Sequence, residues 1–141
     1  MEVTIMTLLV WNESISVNHA DMDADHRNLF KIINNLCEAM RMGQGKTVLE
    51  KMLTNLEDYS KNHFSREEQL LRESNHPDLN IQIQQHKLFF DKVVDYKKNF
   101  QSGDKIIALE MLQFLSDWLV NHIIKVDMNY KVEFFRDDKL Y

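Results

Sequence analysis

His26, His63, His86 and His122, four of the six histidines in this 141-residue chain, stand where apolar helix residues belong. Each interrupts a stripe of Leu, Ile, Val, Phe and Met spaced three and four apart, the pattern of a helix with one buried face. Glu67 lies one turn beyond His63, and Asp127 closely follows His122. Unpaired ionisable groups in a core are costly, so they are normally paired or bound to a metal. A buried metal centre is the most economical explanation.

The breakers place the four histidines on four segments. Gly43-Gln44-Gly45, Asn75-His76-Pro77 and Ser102-Gly103-Asp104 separate helices expected at about 22–42, 46–74, 78–101 and 105–136, after an irregular arm over about 1–21. The apolar faces read Leu29, Phe30, Ile33 and Cys37 on the first helix and Leu49, Met52, Leu56 and Tyr59 on the second. Leu79, Phe89 and Val93 mark the third, and Met111, Leu115, Trp118 and Leu119 the fourth. Short connections make successive helices antiparallel neighbours. The expected fold is all-α: an up-down-up-down antiparallel four-helix bundle, one domain over 1–141. The Asn75–Pro77 turn then sets relative heights. His63 precedes His76 by thirteen residues and His86 follows it by ten. At ~1.5 Å per residue their levels differ by about one turn. The start of the first helix and the second half of the last belong to the same end, so His26 and His122 reach the same layer.

His63 and Glu67, four apart, stack on one face and can share an ion. Asp127, five past His122, is turned from it by roughly 140° on a regular helix and needs a local bulge or a long reach. A carboxylate arriving from the side is what bridging two metals requires. Four imidazoles and two carboxylates are too many for one tetrahedral zinc. They suit two ions of intermediate softness, iron before zinc or magnesium.

Composition removes other classes. Net charge is −5 with acids and bases interspersed, which offers no basic face to nucleic acid. Cys37 has no internal disulfide partner and reads as a core thiol. No apolar run approaches the ~20 residues that cross a bilayer. The opening MEVTIMTLLVW lacks a basic n-region and a small-residue cleavage site, so no membrane insertion and a cytoplasmic setting are expected.

Nearly the whole chain resembles the bacterial hemerythrin-like proteins. The likeness runs through Trp11, Asp23-Ala24-Asp25-His26, His63-Phe64-Ser65-Arg66-Glu67-Glu68, His76-Pro77-Asp78-Leu79 leading to His86, and Trp118-Leu119-Val120-Asn121-His122 with Asp127. The resemblance implies a non-haem di-iron centre with an oxo or hydroxo bridge. His26 and His63 would bind one iron and His86 and His122 the other, with Glu67 and Asp127 bridging. There is one departure: the family's third helix usually carries two histidines four apart, and here Gln82 stands where the first should be. Water or another exogenous ligand is expected to take that position rather than the Gln82 amide oxygen. Leu119, Trp118, Ile123, Phe89 and Trp11 are expected to wall a greasy ligand pocket, Leu119 having the best claim to gating.

Three residues are expected to play no part. His76 in its turn and His19 in the arm read as surface residues, and Glu68 as solvated. The tail from Phe134 to Tyr141 reads as a docking helix end or a stub towards a partner domain. The expected function is a di-iron protein that binds dioxygen, or another small exogenous ligand, or responds to redox state. It would serve as a sensor domain with a fused or separate signalling output such as a diguanylate cyclase. The alternative is a stand-alone oxygen store or carrier. A di-iron peroxidase or nitric-oxide-handling enzyme is less favoured, because no dedicated acid, base or substrate pocket is visible.

Overall fold

The structure, a computed structural model, describes residues 9–43, 46–99 and 105–130. A short 3₁₀ turn, Glu13–Ile15, precedes α1 (Ala20–Arg41), α2 (Lys46–Glu73), α3 (Leu79–Asn99) and α4 (Lys105–His122). The last helix continues into a π turn, Ile123–Asp127. Each helix packs on two others, α1 on α2, α2 on α3, α3 on α4 and α4 back on α1, which closes the four-helix bundle. Helix boundaries fall within about two residues of those expected, except at the C-terminal end of the last helix. Residues 128–130 continue helically after the π turn, whereas the rest of the expected helix, 131–136, and the tail lie outside the described residues, as does the Ser102–Asp104 turn.

Local chemistry explains where the helices start and stop. α1 begins at Ala20, because the His19 imidazole caps it by accepting a hydrogen bond from the Met22 N–H at 3.3 Å. Asp21 and Asp23 sit in its first turn, where the helix dipole favours negative charge. His19 is therefore half-buried at a helix end rather than a free surface residue. Gly43, at φ 70, closes α1 in the left-handed region that glycine adopts without strain. α2 ends in a Schellman turn: Asn75 takes φ 56, its N–H reaches the Arg72 carbonyl, and the His76 N–H reaches Leu71. His76 is thereby the residue that follows the left-handed position. It is buried, contrary to the exposure expected of it, and its Nδ1 accepts from the Asp78 N–H at 3.0 Å.

The arm is tied to α1 by two side chains. Asp23 accepts from the Ser16 hydroxyl and the Val17 N–H. Asn34 pairs with both backbone groups of Leu9. The core below the histidine layer is one cluster that includes Leu29, Ile33, Leu36, Leu53, Leu56, Val93, Leu112 and Leu115. Cutting one of these leucines to alanine costs about 2–5 kcal/mol, the lost transfer energy plus the cavity. Cys37 lies in the same cluster, where burial pushes its thiol pKa up. Among the described residues, no helix is long and apolar enough to cross a membrane.

Candidate metal centre

The bundle brings His26, His63, Glu67, His86, His122 and Asp127 to one layer, and none is more than 3% exposed. His26 comes from α1, His63 and Glu67 from α2, His86 from α3 and His122 from the end of α4. Asp127 arrives through the π turn. An i→i+5 turn sets a residue nearly over the one five before it, where a regular helix would rotate it by about 140°. The Met128 N–H reaches back to the Ile123 carbonyl, which is that i→i+5 bond. The bulge expected from the spacing is thus present.

Glu67 lies between two histidine pairs. Its Oε2 is 3.6 Å from His26 Nε2 and 3.5 Å from His63 Nε2. Its Oε1 is 3.0 Å from His86 Nε2 and 3.8 Å from His122 Nε2. Asp127 divides in the same way, with Oδ2 3.2 Å from His26 Nε2 and Oδ1 3.2 Å from His122 Nε2. Two ligand clusters result, His26–His63–Glu67 and Glu67–His86–His122, each with donor atoms within 4.8 Å of one another. His26 Nε2, His122 Nε2 and Asp127 Oδ2 are buried without a hydrogen-bond partner. Buried polar atoms are rarely left so. His86 Nε2 alone of these four ring nitrogens meets Glu67 within hydrogen-bond reach, and imidazole and carboxylate donors that otherwise face common points unpartnered fit two cations.

The outer ring nitrogens are held unequally. His63 Nδ1 meets Asp25 Oδ2 at 2.9 Å. Arg66 grips both Asp25 oxygens, and the Tyr59 hydroxyl donates to one of them. Burial works against the Asp25 charge, but His63, Arg66 and Tyr59 outweigh it and hold its pKa down at about 2. His86 Nδ1 meets Glu68 Oε2 at 2.7 Å, and His122 Nδ1 meets Gln85 Oε1 at 2.9 Å. Glu68 therefore is not the solvated residue expected: one step past Glu67 carries it round the helix towards α3, where the His86 ring presents its nitrogen. Such partners fix the tautomer and orientation of ligating imidazoles. Asp25 and Glu68 stand within the quoted motifs, but nothing local distinguishes them from surface acids. Gln85 and Tyr130, whose hydroxyl donates to Glu67 Oε2 at 2.9 Å, carried no local signal at all.

Charge in the layer is balanced by imidazolium in the absence of metal. Burial opposes protonation of His26, yet Asp127 and Glu67 override it and hold the pKa up at about 10; the same contest leaves His122 at about 9. Glu67, fully buried, is nevertheless pulled well below the ordinary carboxylate range by the surrounding histidines. Burial and the neighbouring Glu67 and Asp127 charges push the Tyr130 phenol well above its usual value.

The apolar surroundings are aromatic. Trp118 stacks on His122 with centroids 4.4 Å apart, and Phe89 lies 4.7 Å from Trp118. Leu119 and Ile123 are buried in the same core cluster. Trp11 packs part-buried against that cluster, with the Arg27 guanidinium 4.7 Å over its ring. Phe64, not among the expected wall residues, stacks on His86 at 3.9 Å and meets Phe89 and Phe90 edge-on. On the His122 side, an open cleft of about 380 Å³ is lined by Gln85, Trp118, Asn121 and Lys125 among others.

A four-helix bundle with two His–carboxylate clusters sharing a glutamate defines a two-cation binding domain. The chain belongs to the family described as Hemerythrin HHE cation binding domain, whose profile matches residues 18–132. It is 33% identical over 125 residues to a bacteriohemerythrin of Stenotrophomonas maltophilia (strain R551-3), covering 89% of this chain and 80% of the relative. It is 29% identical to a myohemerythrin of Theromyzon tessulatum over 86% of this chain and 89% of that one. A solved crystal structure of a leucine-to-phenylalanine mutant superposes with a TM-score of 0.79 at 27% identity, covering 89% of this chain and 96% of that chain. Membership makes the cofactor a non-haem di-iron centre, and the paired clusters offer the donors that such a centre needs.

Proposed function

We propose that this chain binds dioxygen at its di-iron centre and serves as an oxygen or redox sensor domain. In this reading His26 and His63 would hold one iron and His86 and His122 the other, with Glu67 and Asp127 each offering one oxygen to either pair. Hemerythrins as a family bind oxygen rather than turn over substrates, and we extend that non-enzymatic role to this chain. The observation that carries the reading is the division of Glu67: each oxygen faces a different histidine pair in a layer closed to solvent.

The iron supplies the reversible redox and ligand chemistry. The protein's residues orient and exclude. Asp25 and Glu68 fix imidazole rings, while Phe64, Phe89, Trp118 and Leu119 keep the layer apolar enough to admit a small neutral molecule and hold back water. Gln82 in the ligand layer supports sensing over carriage, since a centre short of one imidazole exchanges ligands and oxidises more readily. The output would pass to a fused or separate signalling domain such as a diguanylate cyclase.

Stopped-flow mixing of the diferrous protein with dioxygen tests this. Immediate conversion to the diferric form is the expected result. A coloured oxygenated state that persists and releases oxygen on deoxygenation would favour the second reading, a stand-alone store or carrier. The likeness to a myohemerythrin over 89% of its length is the observation behind that alternative. A preparation that takes up no iron would remove both.

A further inference from the structure

His86 and His122 lie flat on aromatic rings. Phe64 covers His86 with centroids 3.9 Å apart and planes 5° from parallel, and Trp118 covers His122 at 4.4 Å and 11°. Ordinary aromatic pairs keep their centroids about 4.5–7 Å apart, offset or edge-to-face, because each ring carries a negative face and two such faces repel. Closer, near-parallel stacking suits a pair in which one ring is short of electrons. His26 and His63 instead meet one another edge-on, at 4.9 Å and 79°.

An imidazole becomes short of electrons when it takes on positive charge from a bound cation. Positive charge over an aromatic face is stabilised by that face, most of all away from water. Phe64 is buried and held edge-on by Phe89 and Phe90, while Trp118 packs against Phe89 at 4.7 Å and is half-buried beside the cleft. Gln82, one turn before His86, brings no ring to this side: it is buried, and its Nε2 donates to Asp127 Oδ1 at 2.8 Å. The charge that imidazoles draw from a cation there falls on His86 and His122, the two rings with aromatic cover.

We propose that Phe64 and Trp118 set the redox balance of the centre. Their faces stabilise the positive charge carried by His86 and His122, and a ferric ion places more charge on its imidazoles than a ferrous one does. The two rings therefore bias the centre towards the ferric state and set how readily an iron gives up its electron to dioxygen. Each acts through the imidazole it covers. The proposal rests on the reading in which His86 and His122 hold an iron, and it assigns a role there to two residues that offer no ligand atom.

Fluorinated tryptophan tests it, because fluorine drains the indole face while nearly keeping its shape. The chain has two tryptophans, so in a Trp11→Phe background every label falls on Trp118. The ferric–ferrous midpoint potential, read by optical titration of the iron-loaded protein, should climb from the unlabelled to the mono-, di- and trifluorinated forms. The whole series should span about two- to fivefold in the ferric-to-ferrous ratio at a fixed potential. Loss of Zn²⁺ to excess chelator, a readout without iron, should quicken along the same series. In the reverse background, Trp118→Phe, the label falls on Trp11 and the potential should not respond to it. Perfluorinated phenylalanine placed at position 64 should raise the potential as the label on Trp118 does. Potentials or loss rates that stay level across the Trp118 series, or move the other way, overturn the proposal, and so does an equal response to the label on Trp11. Normal Zn²⁺ binding beside an unmoved potential strikes the proposal and leaves the two-ion reading standing, whereas a protein that takes up no cation removes both. Far-ultraviolet circular dichroism shows that each form has folded.

Discussion

The two histidine pairs that flank Glu67 are built from the same residue types but supported differently. On the α1–α2 side, His63 leans on Asp25, which Arg66 and Tyr59 lock in place, and Asn28 in turn donates to the Tyr59 hydroxyl. On the α3–α4 side, His86 rests on Glu68, whose side chain is 23% exposed, and His122 rests on the neutral amide of Gln85 beside an open cleft. A networked anion fixes ring orientation and raises ligand basicity, whereas single partners near solvent do so less. The imidazoles of the two halves are therefore held with unequal firmness.

The harshest test of this contrast removes what the halves share. Glu67→Gln takes the negative charge from between the pairs and should weaken both sites by more than the roughly 10–100-fold typical of an outer-shell change, measured by metal content after dialysis against a chelator. Retention of one full ion would mean that the halves do not depend on a common carboxylate.

Next come the supports. Asp25→Asn should lower affinity at the His26–His63 site by roughly 10–100-fold, and Glu68→Gln should lower affinity at the other site by a smaller factor, because its carboxylate is already part-solvated. Stepwise Co²⁺ titration of the two variants compares them directly. Equal losses would erase the distinction drawn between the halves.

A third prediction concerns pH in the metal-free protein. The folded values of His26 and His122, about 10 and about 9, lie above the ordinary 6.5. Their contribution to stability is fully present below pH 6.5 and is lost as pH rises through about 9 and then about 10. Thermal melts of the chelated protein should therefore fall across that range. Metal uptake should improve over the same rise, since binding must release those protons. Asp25 runs the other way: its folded value, about 2, is below the ordinary 3.8, so its contribution holds above pH 3.8 and disappears as pH falls through about 2.

The smallest effect isolates one member of the network. Tyr59→Phe removes a hydroxyl that donates to Asp25 and should cost about 1 kcal/mol in denaturant unfolding, leaving metal stoichiometry intact. A larger loss, or loss of an ion, would show the network to be more cooperative than its separate bonds suggest.

The sequence by itself determined the bundle, the shared layer and the residues that form it. Helical period is a local property, so stripes such as Leu29–Ile33, Leu49–Leu56 and Met111–Leu119, and the six ionisable residues on the same four helical segments, could be read along single segments. The turn at Asn75–Pro77 set heights by simple counting, and even the bulge before Asp127 followed from five residues being too many for one turn. Only the tertiary structure decided what each of those residues leans on. Asp25 and His63 are 38 positions apart, His122 and Gln85 are 37 apart, and Tyr130 and Glu67 are 63 apart. Such contacts depend on the rotation of each helix about its axis and on the depth at which it packs. The same holds for Gln82: its place in the layer is written in the spacing, but the direction of its amide is set by Asp127, which reaches it from another helix.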